Sequence, residues 1–314
     1  MSIQSEKQPE AWPELPLGAW KDTYATLHMW TQIIGKIRMT LSPPVNHWWH
    51  VPLYLTARGL TTSPIPYGTE TFEINLDFIG HRIYISTSSG EIKSLPLSAI
   101  SVADFYAQMM DTLASLGIKP KIWPVPVEVA DRTRFDMHRA HAAYDPNYAN
   151  AFWRVLAQSD RVFKKFRSGF IGKCSPVHFF WGAPDLAVTR FSGRRAPEHG
   201  PVPNVGHFVA IEAYTHEVSS CGFWPGGGPV EEAVYYAYAY PEPAAFKDYP
   251  VRPAAAYYHK DFMEFFLPYE AVRKAQDPDA ELLAFMQSTY EAAAMTGNWD
   301  RAELERKTAW PMAA

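Results

Sequence analysis

Apolar positions recur every three to four residues between Trp20 and Arg38. Trp20, Tyr24, Leu27, Trp30, Ile34 and Ile37 share one side, which predicts a helix. Three further helices announce their own starts. Ser101 with Asp104 three residues on forms a capping pattern, and Gly117 closes that segment. Asp145-Pro146 and Asp277-Pro278 each place a cap before a proline at the first helical position. The first of these two runs carries Phe152, Leu156, Phe163 and Phe166 on one side; the second runs through Leu283, Met286 and Tyr290 to Gly297. Between the helices the period changes to two. "TFEINLDF" alternates Phe72, Ile74, Leu76 and Phe78 with polar neighbours, and "HRIYIST" and "EIKSLPL" follow after turn signals, which predicts a meander. "AVYYAYAY" puts Val234, Tyr236, Tyr238 and Tyr240 on one face and Tyr235, Ala237 and Ala239 on the other. The small residues suit close approach by a neighbouring layer.

The two halves of the chain read alike. The first runs helix, "PPVNHWWHVPLYLTARG", strands, "LPLSAISVADFYAQMMDTL"; the second runs helix, "SPVHFFWGAPDLAVTRFSG", strands, "LPYEAVRKAQDPDAELLAFMQSTY". In each, Pro-Val precedes a histidine and aromatics, and a Leu-Pro strand leads into the closing helix. The expected fold is therefore α+β. It consists of two helix–antiparallel sheet–helix units, residues 1–118 and 145–314, joined by 119–144 and related by a pseudo-twofold axis, within one compact domain or two. His47 and His178 would then be equivalent, with a cleft near the axis.

Composition narrows the class. Apolar residues make up 47% and charged residues 20% of 314, so a sizeable core can form. The net charge of −4 and the absence of a basic run argue against nucleic-acid binding. Cys174 and Cys221 have no paired spacing, so neither a disulfide framework nor a cysteine-rich zinc site is expected. The polar amino terminus resembles no signal peptide, and no apolar run approaches the roughly 18 residues of a membrane span. A soluble, cytoplasmic protein without a membrane partner is the expectation. Aromatics, at 15%, are numerous enough to line a pocket for a small-molecule ligand.

"NHWWH" reads as the start of a strand, which would put His47 and His50 on opposite faces and disfavour a two-histidine metal site there. In "SPVHFFWGAPDLAVTRFSGRRAP", His178 alternates with Phe180, and Phe179 with Trp181; Arg194 and Arg195 follow a glycine. Such an arginine pair suits a carboxylate or phosphate, since the guanidinium fork binds these groups bidentately; a solvated loop with one ion pair is the plainer reading. In "THEVSSCGFWPGGGP", His216, Val218 and Ser220 share one strand face, and Glu217, Ser219 and Cys221 the other. No nucleophile elbow, zincin helix or phosphate loop is present. Cys221 is either a nucleophile or a small buried hydrophobe. The three glycines make a hinge, a floor for a flat ligand beneath Trp224, or a plain turn.

The strings "NHWWHVPLYLTARGLTTSPIPYG", "SPVHFFWGAPDLAVTRFSGRRAP" and "HEVSSCGFWPGGG" resemble the bacterial domain-of-unknown-function family 5996, over about Trp12 to Arg306. The resemblance implies a stand-alone, cytosolic-type protein and brings no activity, cofactor or catalytic residue. From the residues themselves, the expectation is an enzyme acting on a small anionic or aromatic molecule. His178 and His216 would serve as base and acid, with Glu217 assisting. Arg190, Arg194 and Arg195 would hold an anionic group, and Trp181, Cys221, Trp224, Gly226, Gly227 and Tyr238 would line the substrate. One alternative is a metal site formed by His47, His178 and His216. Another is a non-catalytic binding or interaction protein with the histidines satisfied by hydrogen bonds. The residues name no cofactor and no oligomeric state.

Overall fold

A computed structural model describes residues 10–307; residues 1–9, which begin the polar amino terminus, and 308–314 lie outside the described residues. The four predicted helices are all present. The first, α1 (Leu17–Leu41), buries Trp20, Leu27, Trp30, Ile34 and Ile37 as its period requires. It also buries Thr26, Thr31, Gln32, Lys36 and Arg38, so it is surrounded rather than laid on a surface.

The segment after α1 departs from expectation. Asn46–Trp48 is a 3₁₀ turn, not a strand, with His47 at φ 59° and Trp48 at φ 60°. Local bonds replace a ladder here: the Val45 amide donates to His50 Nδ1 at 3.1 Å, and the Val51 amide to the Trp48 carbonyl at 3.1 Å. The first sheet follows, from β1 (Tyr54–Leu55), β2 (Gly59–Thr61), β3 (Ile65–Tyr67), β4 (Glu70–Asp77), β5 (Arg82–Thr87) and β6 (Ile92–Pro96). It is antiparallel, in the order β1-β2-β4-β5-β6, with β3 also on β4; the last three strands are the predicted meander. Phe72, Ile74, Leu76 and Phe78 all point inward. The helix α2 (Val102–Ser115) starts where its sequence says, with Ser101 Oγ accepting from the Asp104 amide at 3.1 Å.

An extended segment with one 3₁₀ turn, Phe135–Met137, leads to α3 (Pro146–Ser168), capped by Asp145. The second sheet is built from β7 (His178–Phe180), β8 (Asp185–Arg195), β9 (His216–Trp224), β10 (Val234–Tyr240), β11 (Tyr257–His259) and β12 (Glu264–Pro268). Its order is β11-β12-β10-β9-β8-β7, antiparallel throughout. A short helix, α4 (His207–Ala213), precedes β9; α5 (Tyr269–Arg273), α6 (Pro278–Thr296) and α7 (Arg301–Leu304) close the chain. The three short helices carry too few turns to show a period.

One face of the second sheet lies under α3 and α6. Tyr235, Ala237, Cys221, Phe223, Leu186 and Val188 are buried there, and Ser159 of α3 bonds Tyr235 at 2.9 Å. Ala237 and Ala239 let α6, with its own Ala292, Ala293 and Ala294, come close. The two sheets meet where Leu53 and Phe179 exchange backbone hydrogen bonds of 2.9 Å in each direction, just before β1 and within β7. One apolar cluster runs through both. The chain is thus α+β, with two antiparallel sheets, and none of its described helices is long and apolar enough to cross a membrane.

Candidate functional site

The other face of the second sheet carries the chemistry. The register places Tyr236, Gly222, Ala187 and His178 side by side on β10, β9, β8 and β7, and Tyr238, Ser220 and Thr189 in the next row. Gly222 has a packing reason. A Cβ there would come within 2.5 Å of both the Leu186 carbonyl and the Tyr236 hydroxyl, so only glycine lets that ring lie across the strand. Tyr236 thereby donates a short hydrogen bond to Asp185 Oδ2. Its ring runs parallel to that of Tyr238 at 6.3 Å, and the Tyr238 and Tyr214 hydroxyls bond at 2.9 Å. Trp224 closes this end, 6.1 Å from Phe262.

The facing wall comes from α1 and the connecting segment. Tyr24, His28 and Gln32 follow one another at single-turn spacing on α1. His28 Nε2 lies 2.7 Å from the Gly182 carbonyl; since a carbonyl only accepts, that nitrogen carries the proton. Gln32 grips Val127 through both its amide atoms, donating to the carbonyl at 2.8 Å and accepting from the N–H at 2.9 Å. The next residue, Glu128, turns with φ 59° and lays its carboxyl in the space a side chain at Gly182 would fill.

Three carboxyl groups, Asp185, Glu264 and Glu128, therefore act on one recess. Burial, reinforced by the charge of Glu128, pushes Asp185 up to about 7. Burial, reinforced by Asp185, pushes Glu264 up to about 8, and burial alone raises Glu128. Glu128 nevertheless exposes surface and Glu264 is only half-buried. The partial exposure of Tyr24, His28, Tyr236, Tyr238 and Glu264, between α1 and the sheet, opens this group of side chains to solvent. Neither Asp185 nor Glu264 has an ion-pair partner among the described residues. Burial also holds His28 neutral, down to about 4, and raises Tyr24, Tyr214, Tyr236 and Tyr238.

Of the residues picked from sequence, Tyr238 and Trp224 line this recess. His178 sits on the same sheet face but 1% exposed, ringed by Trp49, Tyr54 and Phe180 at 5.4–5.8 Å. Its Nε2 has no partner among the described residues, and burial, with Arg38 and Arg167, pushes it down to about 3. His216 lies further along, half-buried, with its ring 5.7 Å from His47. Trp49 touches both His47 and His178, so His178 and His216 are linked through His47 and Trp49 rather than facing each other. His47 donates from Nδ1 to the Ala213 carbonyl at 3.0 Å and accepts from Lys173 at 2.7 Å, which occupies both ring nitrogens. The three histidines do not form a group whose ligand atoms lie within 4.8 Å of one another. His47, in its 3₁₀ turn ahead of β1, also does not take the place that His178 takes at the start of β7.

The remaining candidates lie away from the recess. Glu217 accepts from Ser192 at 2.8 Å and from Arg194 at 2.6 and 2.9 Å; Arg194 also donates to the Gly297 and Asn298 carbonyls past the end of α6. Arg195 is exposed beside His216, which its charge pushes down after burial does. Arg190 is 2% exposed, stacked on Phe166 at 3.5 Å and Tyr290 at 4.3 Å, on the helix side of the sheet. Trp181 is buried against Gly35 and donates to the Val51 carbonyl at 2.8 Å. Cys221 is a core hydrophobe whose thiol burial pushes upward. Gly226 and Gly227, at φ 92° and 146°, make the turn from β9 to β10; Gly227 and Val230 exchange bonds of 2.7 and 3.1 Å. The glycine run is a closed turn beside Trp224.

Sequence reading missed Asp185, Glu264, Glu128, Tyr24 and His28. The walls have a trace in the sequence, in the tyrosine face of "AVYYAYAY" and in Tyr24, His28 and Gln32 at helical spacing along one line of α1, whereas nothing local marks the three carboxyls.

The molecule is thus an α+β protein with two antiparallel sheets, one of which carries an acidic, tyrosine-walled recess. A family model matches residues 12–306 of the 314, and the chain belongs to that family, the family of unknown function DUF5996. No curated protein and no solved structure matches the chain.

Proposed function

We propose that the protein binds a small, positively charged organic molecule, an amine with a flat apolar part, in the recess and acts on it by proton transfer through Asp185 and Glu264. The observation that carries this reading is the convergence of three carboxyl groups, without a cationic partner among the described residues, on a space walled by tyrosines and Trp224. An ammonium group supplies the charge the site lacks and is attracted to aromatic faces. Two coupled carboxyls raised to about 7 and about 8 share protons near neutral pH, the arrangement that general acid–base chemistry needs. The sign of the ligand is opposite to the anionic one expected from the arginines, because Arg190 and Arg194 are occupied in packing and helix capping.

The test is a thermal-shift screen at pH 7 with benzylamine and phenethylamine against benzoate and phenylacetate. The amines should raise the melting temperature of the wild type and leave an Asp185→Asn/Glu264→Gln variant unmoved. Stabilisation by the carboxylates, or by neither class, would overturn the reading.

We propose, too, that the chain arose by internal duplication. Each half opens with a long helix, carries six strands and closes with helix, the second half adding α4 between β8 and β9, and the residue just before β1 pairs antiparallel with β7 at Leu53 and Phe179. The repeats would be 1–118 and 145–314, joined by 119–144.

A further inference from the structure

Away from the recess, the connecting segment gathers Asp131, His138 and His141 so that one ligand atom from each lies within 4.8 Å of the others; this is the one such trio of histidine, cysteine or acidic residues among the described residues. His138 is 1% exposed, yet neither of its ring nitrogens has a hydrogen-bond partner. A buried imidazole left this way is destabilising unless something it faces satisfies its nitrogens. What it faces explains the position: Asp131 Oδ2 lies 3.2 Å from His138 Nε2, and the His141 ring stacks on that of His138 at 4.7 Å.

The backbone around the trio is fixed. The Ala103 and Val102 amides, in the first turn of α2, donate to the carbonyls of His138 at 2.9 Å and His141 at 3.1 Å. Phe135 is wholly buried between Asp131 and His138 in sequence. Asp131 Oδ1 accepts from the Thr133 amide at 2.8 Å, which fixes the carboxylate with Oδ2 towards His138. The neighbouring cation does not compete, because Arg139 is paired with Asp104 at 3.0 Å.

We propose that Asp131, His138 and His141 form a zinc site. Two imidazoles and one carboxylate are a donor set suited to Zn²⁺, whose bonds to nitrogen and oxygen are about 2.0–2.2 Å. With one ligand atom from each already within 4.8 Å of the others, closing on an ion would reach that geometry, and a water at the exposed Asp131 edge would complete four ligands. The ion would clamp the connecting segment against α2, three residues beyond the Glu128 that enters the recess.

The test uses the full, untagged chain, stripped with a chelator and dialysed into metal-free buffer. Zn²⁺ is then titrated in competition with a chromogenic chelator. One equivalent should bind, and His141→Ala and Asp131→Asn should each weaken it by about tenfold or more. Those two partly exposed positions carry the decision, since the buried His138→Ala variant risks unfolding. Zn²⁺ should also raise the melting temperature of the wild type and not that of either variant. No specific equivalent in the wild type, or undiminished binding in the variants, would overturn the site and leave His138 paired with Asp131 alone.

Discussion

At the scale of single residues, Asp185 offers the sharpest test. Its native carboxyl keeps its proton to about 7, against 3.8 for the free group. Below the lower value both states are protonated, and the group does not discriminate. Between the two values the unfolded chain has released a proton that the native state retains, so native stability falls as pH rises, by up to about 1.4 kcal/mol per unit. An asparagine side chain in its place would accept the Tyr236 hydrogen bond without this penalty. Asp185→Asn should therefore gain about 1–3 kcal/mol on the wild type between pH 5 and pH 8 in urea unfolding. A difference that is the same at both pH values would show that the recess is not desolvated.

At the scale of elements, two arginines from one sequence motif do different work. Arg190 joins β8 to the end of α3 and to α6 through Phe166 and Tyr290. Arg194 bonds carbonyls beyond α6 from the surface. Truncating Arg190 to Ala removes a buried stack and opens a cavity, and should cost about 3 kcal/mol. Arg194→Ala should cost about 1 kcal/mol or less, since a surface pair is screened. Chemical denaturation of both variants checks the ranking; equal costs would place Arg190 outside the core.

At the scale of the whole molecule, the two sheets share one apolar cluster and are joined through Leu53 and Phe179. With one core common to both sheets, far-ultraviolet dichroism and tryptophan fluorescence should report one coincident thermal transition. Two separated transitions would make the Leu53–Phe179 junction a domain boundary. The recess also belongs to this scale. Its walls come from α1, the connecting segment and four strands of the second sheet, and the shortest stretch that contains both Tyr24 and Glu264 is 241 residues long.

Local signals settled what local physics controls. Ser101, Asp145 and Asp277 start their helices because a side-chain oxygen next to free amides acts within three residues. Phe72, Ile74 and Leu76 point inward because strand geometry alternates without reference to the rest of the chain. Alternation likewise separated His216 from Glu217 and Tyr238 from Ala237. Where the local signal was weak, the reading went astray, as at "NHWWH", whose 3₁₀ turn depends on bonds to His50 and contacts with α4. The carboxyls were invisible for a different reason. An aspartate in "APDLAV" and a glutamate in "MEFFLP" look like ordinary surface charges, and only the packing of α1 and of the connecting segment at Val127–Glu128 over the sheet removes them from water. Burial is a property of the surroundings and not of the residue, so the sequence determined the elements and their faces, while the tertiary structure decided which charged groups would share a desolvated space.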